Sequence, residues 1–148
     1  MALLLSRELK SLADTATLAA DVSALLPSGG VLLLTGDLGA GKTTFVQALA
    51  RVFGITRTVT SPTFTLANEY PIPDGGKLVH YDLYRLASAG GLYDLGLEDA
   101  LENGDRLVIE WPEKAQAVLD LEVPHRLRLR LTLNGTGCRQ AELTEENV

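Results

Sequence analysis

The chain carries one cysteine, Cys138. No disulfide can form within it, and a reducing, cytoplasmic setting is expected. Long apolar runs are missing too. The densest, "ALLL" at 2–5 and "VLLL" at 31–34, fall far short of the roughly 20 residues that span a bilayer. Arg7, Glu8 and Lys10 follow the first leucines at once, so no exported leader and no membrane contact are expected. Positive charge is scarce, with a net charge of −6 and an isoelectric point near 4.8. Proteins that grip nucleic acid draw most of their affinity from neutralising phosphates, so tight direct binding of RNA or DNA is not expected here.

What is present fits one domain, 1–148, with a core of ordinary size. No internal repeat or low-complexity linker interrupts it. "DTATLAADVSALL" spaces Leu18, Val22, Leu25 and Leu26 as a helix does, with Asp14 as its expected N-cap. "PSGG" ends that helix, and "VLLLT" is apolar on both faces, as a buried parallel strand is. A helix over "TTFVQALARVF" follows, with Gly54 at its C′ position. "SPTFTLANEY" reads as a loop entering an extended segment, and "PIPDGG" as a turn. "KLVHYDLYRL" and "RLVIEWPE" are short apolar strands ending in acids, separated by a short helix in "LYDLGLEDALENG". The strict alternation of "RLRLRLTL" before "NGTG" marks a C-terminal hairpin.

Between the first strand and the second helix stands "GDLGAGKTTF", in which Gly36, Gly41, Lys42 and Thr43 meet the pattern G-x-x-x-x-G-K-[ST]. Glycines let the backbone wrap an anion, and the N–H groups from Gly39 through Ala40 and Gly41 to Thr44 can turn inward onto phosphate oxygens. The start of a helix adds favourable potential there. Lys42 would reach the β- and γ-phosphates, and the Thr43 hydroxyl would hold Mg²⁺. No N/T-K-x-D segment of the kind that selects guanine is present, so ATP is the expected nucleotide. The fold class that follows is α/β: a P-loop NTPase-like three-layer domain with a mostly parallel central sheet and the C-terminal hairpin.

Turnover needs more than a phosphate cradle. Ligands of open α/β sheets lie at the carboxyl ends of the strands, and two apolar runs end there in Asp82 and Glu110. Either acid can serve Mg²⁺, and Glu110 can also polarise water; alone, each also reads as a plain strand-end acid. Ser61 and Thr63 offer hydroxyls to a γ-phosphate or metal, or else belong to a turn fixed by Pro62. Trp111 reads equally as a packing residue and as a wall of the site. His80 and His125 have no ligand-spaced partner, and structural roles are expected for them. Arg126, Arg128 and Arg130 alternate with leucines as a solvated edge would, with a phosphate or partner contact as the alternative.

Taken in order, "GDLGAGKTTF", "SPTFTL", "HYDLYRL" and "IEWPE" resemble the TsaE (YjeE-type) family of bacterial P-loop ATPases of tRNA threonylcarbamoyladenosine synthesis. The resemblance runs from "DTATLA" to "GTGCR". It implies an ATPase that works with TsaD and TsaB, the pair that transfers threonylcarbamoyl to an adenosine beside the anticodon. The family's part is to reset that pair between rounds, and tRNA is reached only through the complex. By motif, Lys42 and Thr43 bind phosphate and Mg²⁺, and Asp82 and Glu110 serve metal and hydrolysis. Thr44, Ser61, Thr63 and Trp111 match near-site residues, and Thr15 and Glu113 fall where the family approaches the nucleotide. Arg139 matches a G-x-R or GR hairpin element, from which Cys138 between glycine and arginine is a departure. The rival readings are a small-molecule kinase, for which no insertion is long enough to form an Arg-rich lid, and a nucleotide-gated adaptor with little turnover.

Overall fold

The structure, a computed structural model, describes every residue except Leu38, Thr63 and Thr136. Its centre is β2 (Val31–Thr35), whose unbroken apolar run is buried on both faces. Leu32 and Leu34 enter one core, and Val31 and Leu33 enter the other. The first core is roofed by α1 (Leu12–Leu25) and α2 (Lys42–Val52), through Leu18, Val22, Phe45 and Leu49. The second is roofed by α3 (Gly91–Asp94), α4 (Leu97–Glu102) and α5 (Gln116–Glu122), through Leu92, Leu97, Val118 and Leu119. Alternation along a strand thus divides one sheet's side chains between two helical layers, giving the three layers expected.

On either side of β2, and parallel to it, lie β5 (Arg106–Glu110) and β6 (His125–Leu133). Next to β5 and parallel to it is β4 (Lys77–Asp82), with β3 (Ala67–Pro71) antiparallel at that edge. On the other side β7 (Arg139–Asn147) pairs antiparallel with β6, and β1 (Ala2–Leu9) pairs antiparallel with β7. The sheet is therefore mixed, which corrects the mostly parallel expectation. Parallel pairing needs a long crossover, whereas a short turn such as that between β3 and β4 can only return the chain antiparallel. Strand β1 is the other correction, since no strand was expected there. Its leucines do not alternate with polar residues, and Leu3 and Leu4 lie on the exposed edge.

One local expectation, the cap of α1, also changes. Helix α1 is capped by Ser11, whose Oγ accepts the Asp14 N–H at 3.2 Å. Asp14 is the third helical residue and reaches back to accept the Lys10 N–H at 2.8 Å, a reciprocal arrangement close to a capping box. Gly54, as expected, adopts φ +81° just past α2.

The arginine row is not a solvated edge, because β6 lies inside the sheet between β7 and β2. Arg126 is 4% exposed, and its Nε donates to Glu146 at 2.9 Å while Nη1 meets Asp120 at 2.9 Å. Arg128 Nε donates to the same Glu146 carboxylate at 2.5 Å. Only Arg130 of the three is exposed. Burial works against the charge of Glu146, but hydrogen bonds from Arg128 and Arg126 outweigh it and hold the carboxyl below its ordinary 4.5. A carboxyl depressed in the folded state contributes stability that is fully present above its unfolded value and lost as pH falls through the folded one. Glu146→Gln is accordingly expected to cost roughly 2 kcal/mol at neutral pH, and that difference should shrink as pH falls below about 4.5. Urea unfolding of both proteins over that range measures it; a gap that persists unchanged in acid would refute the assignment.

Candidate functional site

The carboxyl end of β2 runs straight into the glycine loop, where Gly36 is required by space and Gly41 by its backbone conformation. Gly36 has φ +151°, and a Cβ there would stand 2.3 Å from the backbone oxygen of Leu131. Gly41 has φ +97°, and a Cβ there would lie 2.9 Å from Arg139 Nε. Helix α2 begins at Lys42 with Gly41 as its N-cap, a residue that offers no side chain to the first-turn amides. Such amides, with the helix dipole behind them, form a natural anion seat.

Lys42 is buried, at 7% exposure. Its Nζ donates to the Gly36 carbonyl at 2.7 Å and sits 4.1 Å from the centroid of the Trp111 ring. The ammonium is thus held at the loop before any phosphate arrives. Trp111 adopts φ +57°, uncommon for a residue with a side chain, and packs its ring 4.9 Å from that of Tyr84. It serves both readings, since it touches the core under α5 and walls the loop.

Strands β4 and β5 end level with β2. Asp82 pairs in register with Glu110, and Glu110 with Leu34, so both acids stand at the edge where the loop begins. Asp82 Oδ1 accepts the Tyr84 N–H at 3.1 Å, and Ser61 Oγ lies 3.5 Å from Oδ2. Both acids are largely buried. A cleft of about 450 Å³ brings together Gly39, Gly41, Lys42, Thr43, Thr44, Ser61, Asp82, Glu110, Trp111 and Arg139. Thr63 lies outside the described residues.

A second cavity, of about 310 Å³, lies across Gly41 and Thr44 from this cleft. It is lined by Thr15, Ala40, Phe45, Leu131 and Cys138, and it shares Arg139 with the first. Arg139 is therefore where the hairpin element suggested, despite the neighbouring Cys138, with its Nη2 donating to the Gly39 carbonyl at 3.4 Å. Glu113 is exposed and does not line the carboxylate cleft. It lines a third cavity of about 360 Å³ with Gly36, Lys42, Arg128 and Arg130. A further cavity of about 510 Å³, between β3 and α4, is lined by charges of both signs, Glu69, Asp99 and Asp105 with Arg57 and Lys77. Burial, with Glu69 and Asp105 nearby, pushes the Tyr81 hydroxyl there up to about 12.

Sequence reading gave His80 only a structural role, yet its Nε2 lies 2.5 Å from Glu110 Oε2. The signal available was its spacing, two residues before Asp82 on a strand and hence on the same face. The partner acid on β5 is revealed only by the pairing of the strands.

A family model described as threonylcarbamoyl adenosine biosynthesis protein TsaE matches residues 9–141. The chain belongs to the TsaE family. A TsaE relative from Aquifex aeolicus is 42% identical over 78% of this chain and 84% of its own length. One from Bacillus subtilis is 38% identical over 88% of this chain and 78% of its own. Both relatives are named as tRNA threonylcarbamoyladenosine biosynthesis proteins. The crystal structure of Bacillus subtilis YdiB superposes on all of this chain and 89% of that one, with a TM-score of 0.77 and 29% identity. Among the described residues of this TsaE-family chain, no helix is long and apolar enough to cross a membrane.

Proposed function

We propose that this TsaE-family protein is a Mg²⁺-dependent P-loop ATPase, with 1–148 as one ATPase domain, that resets the TsaD–TsaB transferase between rounds of tRNA modification in the cytoplasm. The observation that carries the reading is the convergence of Lys42, Thr43, Asp82 and Glu110 on one cleft at the mouth of the glycine loop. Triphosphate would lie along the amides of Gly39 to Thr44, with Lys42 exchanging the Gly36 carbonyl for phosphate oxygens. The base would extend toward the second cavity, past Thr44 and Arg139 to Thr15.

Among the described residues, no group of three His, Cys, Asp or Glu side chains is placed to cage a metal. The cleft instead supplies hard oxygen donors from Thr43, Asp82 and Glu110, a set suited to Mg²⁺ held partly by nucleotide phosphates. When bound, the ion would neutralise charge on the phosphates. Glu110 would orient the attacking water, and Asp82, fixed by the Tyr84 amide, would hold its carboxylate toward the cleft. With a net charge of −6, the protein would meet tRNA only through TsaD and TsaB.

The test measures ATP hydrolysis and repeated tRNA modification with each of the three proteins omitted in turn. Slow hydrolysis alone, stimulated by TsaD and TsaB, with multiple rounds dependent on this chain, is the expected result. Equal hydrolysis with and without the pair, together with repeated modification in the absence of this protein, would overturn the role and favour a kinase acting on a small acceptor.

A further inference from the structure

His80 is fully buried on β4, and its two ring nitrogens have very different surroundings. Nε2 lies 2.5 Å from Glu110 Oε2, while Nδ1 is buried with no hydrogen-bond partner among the described residues. A buried polar atom without a partner is a cost to stability. An apolar side chain of similar size would fill this place in the core more cheaply. The neighbours at the preceding positions on the same face, Leu78 and Val108, are apolar and belong to the core under α1 and α2. The apolar core by itself therefore gives no reason for an imidazole here.

The register supplies one. His80 pairs with Val108 and Asp82 pairs with Glu110, so His80 and Glu110 occupy diagonal positions on neighbouring strands, within reach of long side chains. We infer that His80 is a positioning residue: its Nε2–H donates to Glu110 Oε2, fixes the carboxylate's rotation, and leaves the other oxygen for the cleft. With no acceptor at Nδ1 among the described residues, the ring's donor is the one placed at Nε2, toward Glu110. This inference rests on the reading of Glu110 as the residue that serves hydrolysis, and nothing in the glycine loop or in Asp82 requires it.

The experiment compares His80→Leu, His80→Gln and His80→Asn in ATP affinity by calorimetry, in turnover under the conditions that stimulate it, and in thermal unfolding. His80→Leu should bind ATP as the wild type does and turn over roughly 10- to 100-fold more slowly, with some loss of thermal stability because the buried Glu110 carboxylate loses a donor. Glutamine places its amide nitrogen where Nε2 stands and should recover most of the rate. Asparagine is too short to reach Glu110 and should not. If His80→Leu fails to fold, the glutamine and asparagine pair decides the matter. A folded His80→Leu with unchanged turnover, or His80→Gln no faster than His80→Asn, overturns the positioning role. Glu110→Gln is measured in parallel. If it turns over normally, the reading of Glu110 itself fails; if it is inactive while His80→Leu is not, only the inference about His80 fails.

Discussion

Glu110→Gln is expected to bind ATP with near wild-type affinity and to hydrolyse it on the order of 100-fold more slowly or worse. The amide matches the carboxylate in size and can still accept the His80 N–H, so neither the buried end of β5 nor its contact with β4 should be disturbed. What it lacks is the negative charge needed to draw a proton from water or to serve the metal. Because the residue is 3% exposed, solvent cannot readily supply a substitute. Single-turnover hydrolysis alongside calorimetry separates the two effects. Turnover within a few-fold of wild type would remove Glu110 from the chemistry and leave Asp82 as the acid to examine.

Lys42→Ala should lose ATP affinity by roughly 100-fold, the value of a charge-assisted contact to phosphate in a sheltered site. The fold should survive, since among the described residues Lys42 bonds to the Gly36 carbonyl and rests on Trp111. Alanine would, however, uncover one face of that ring, so Lys42→Met is the better control. It keeps a long chain against the indole and removes only the charge. Trp111 is the chain's single tryptophan, and its emission reports both the packing and the departure of the ammonium when ATP binds. Unchanged ATP affinity in a folded Lys42→Met protein would exclude the loop as the phosphate seat.

The glycine loop was legible in the sequence because it is local. Gly36 to Thr44 are neighbours along the chain, and the strand before them and helix after them announce themselves by pattern. Asp82 and Glu110 could be found because each closes an apolar run, which fixes its end of the sheet. Their company could not be read the same way. His80 meets Glu110 only through the pairing of β4 with β5. Arg126 turned out buried because β7 and β1 add themselves beyond β6, and β1 has no alternation to betray it. Ser11 displaced Asp14 as the cap because both side chains suit the role and three-dimensional reach decided between them. Glu113, which follows Trp111 at φ +57°, lies beside Gly36 and Lys42 in a neighbouring cavity rather than in the carboxylate cleft, a placement that the backbone turn decides.

The second cavity differs from the first in how it comes to exist. Its walls include Leu9 at the end of β1, Thr15 in α1 and Arg139 at the start of β7, and Leu9 faces Arg139 across the strand pair. Ser6 and Gln140, hydrogen-bonded at 3.0 Å, close the same pair over a separation of 134 residues. Contacts of that span carry the loop-closure entropy of nearly the whole chain. A chain that has formed β2, the glycine loop and α2 therefore has the loop but not the second cavity. That enclosure arrives only when the two distant segments of the polypeptide have found each other.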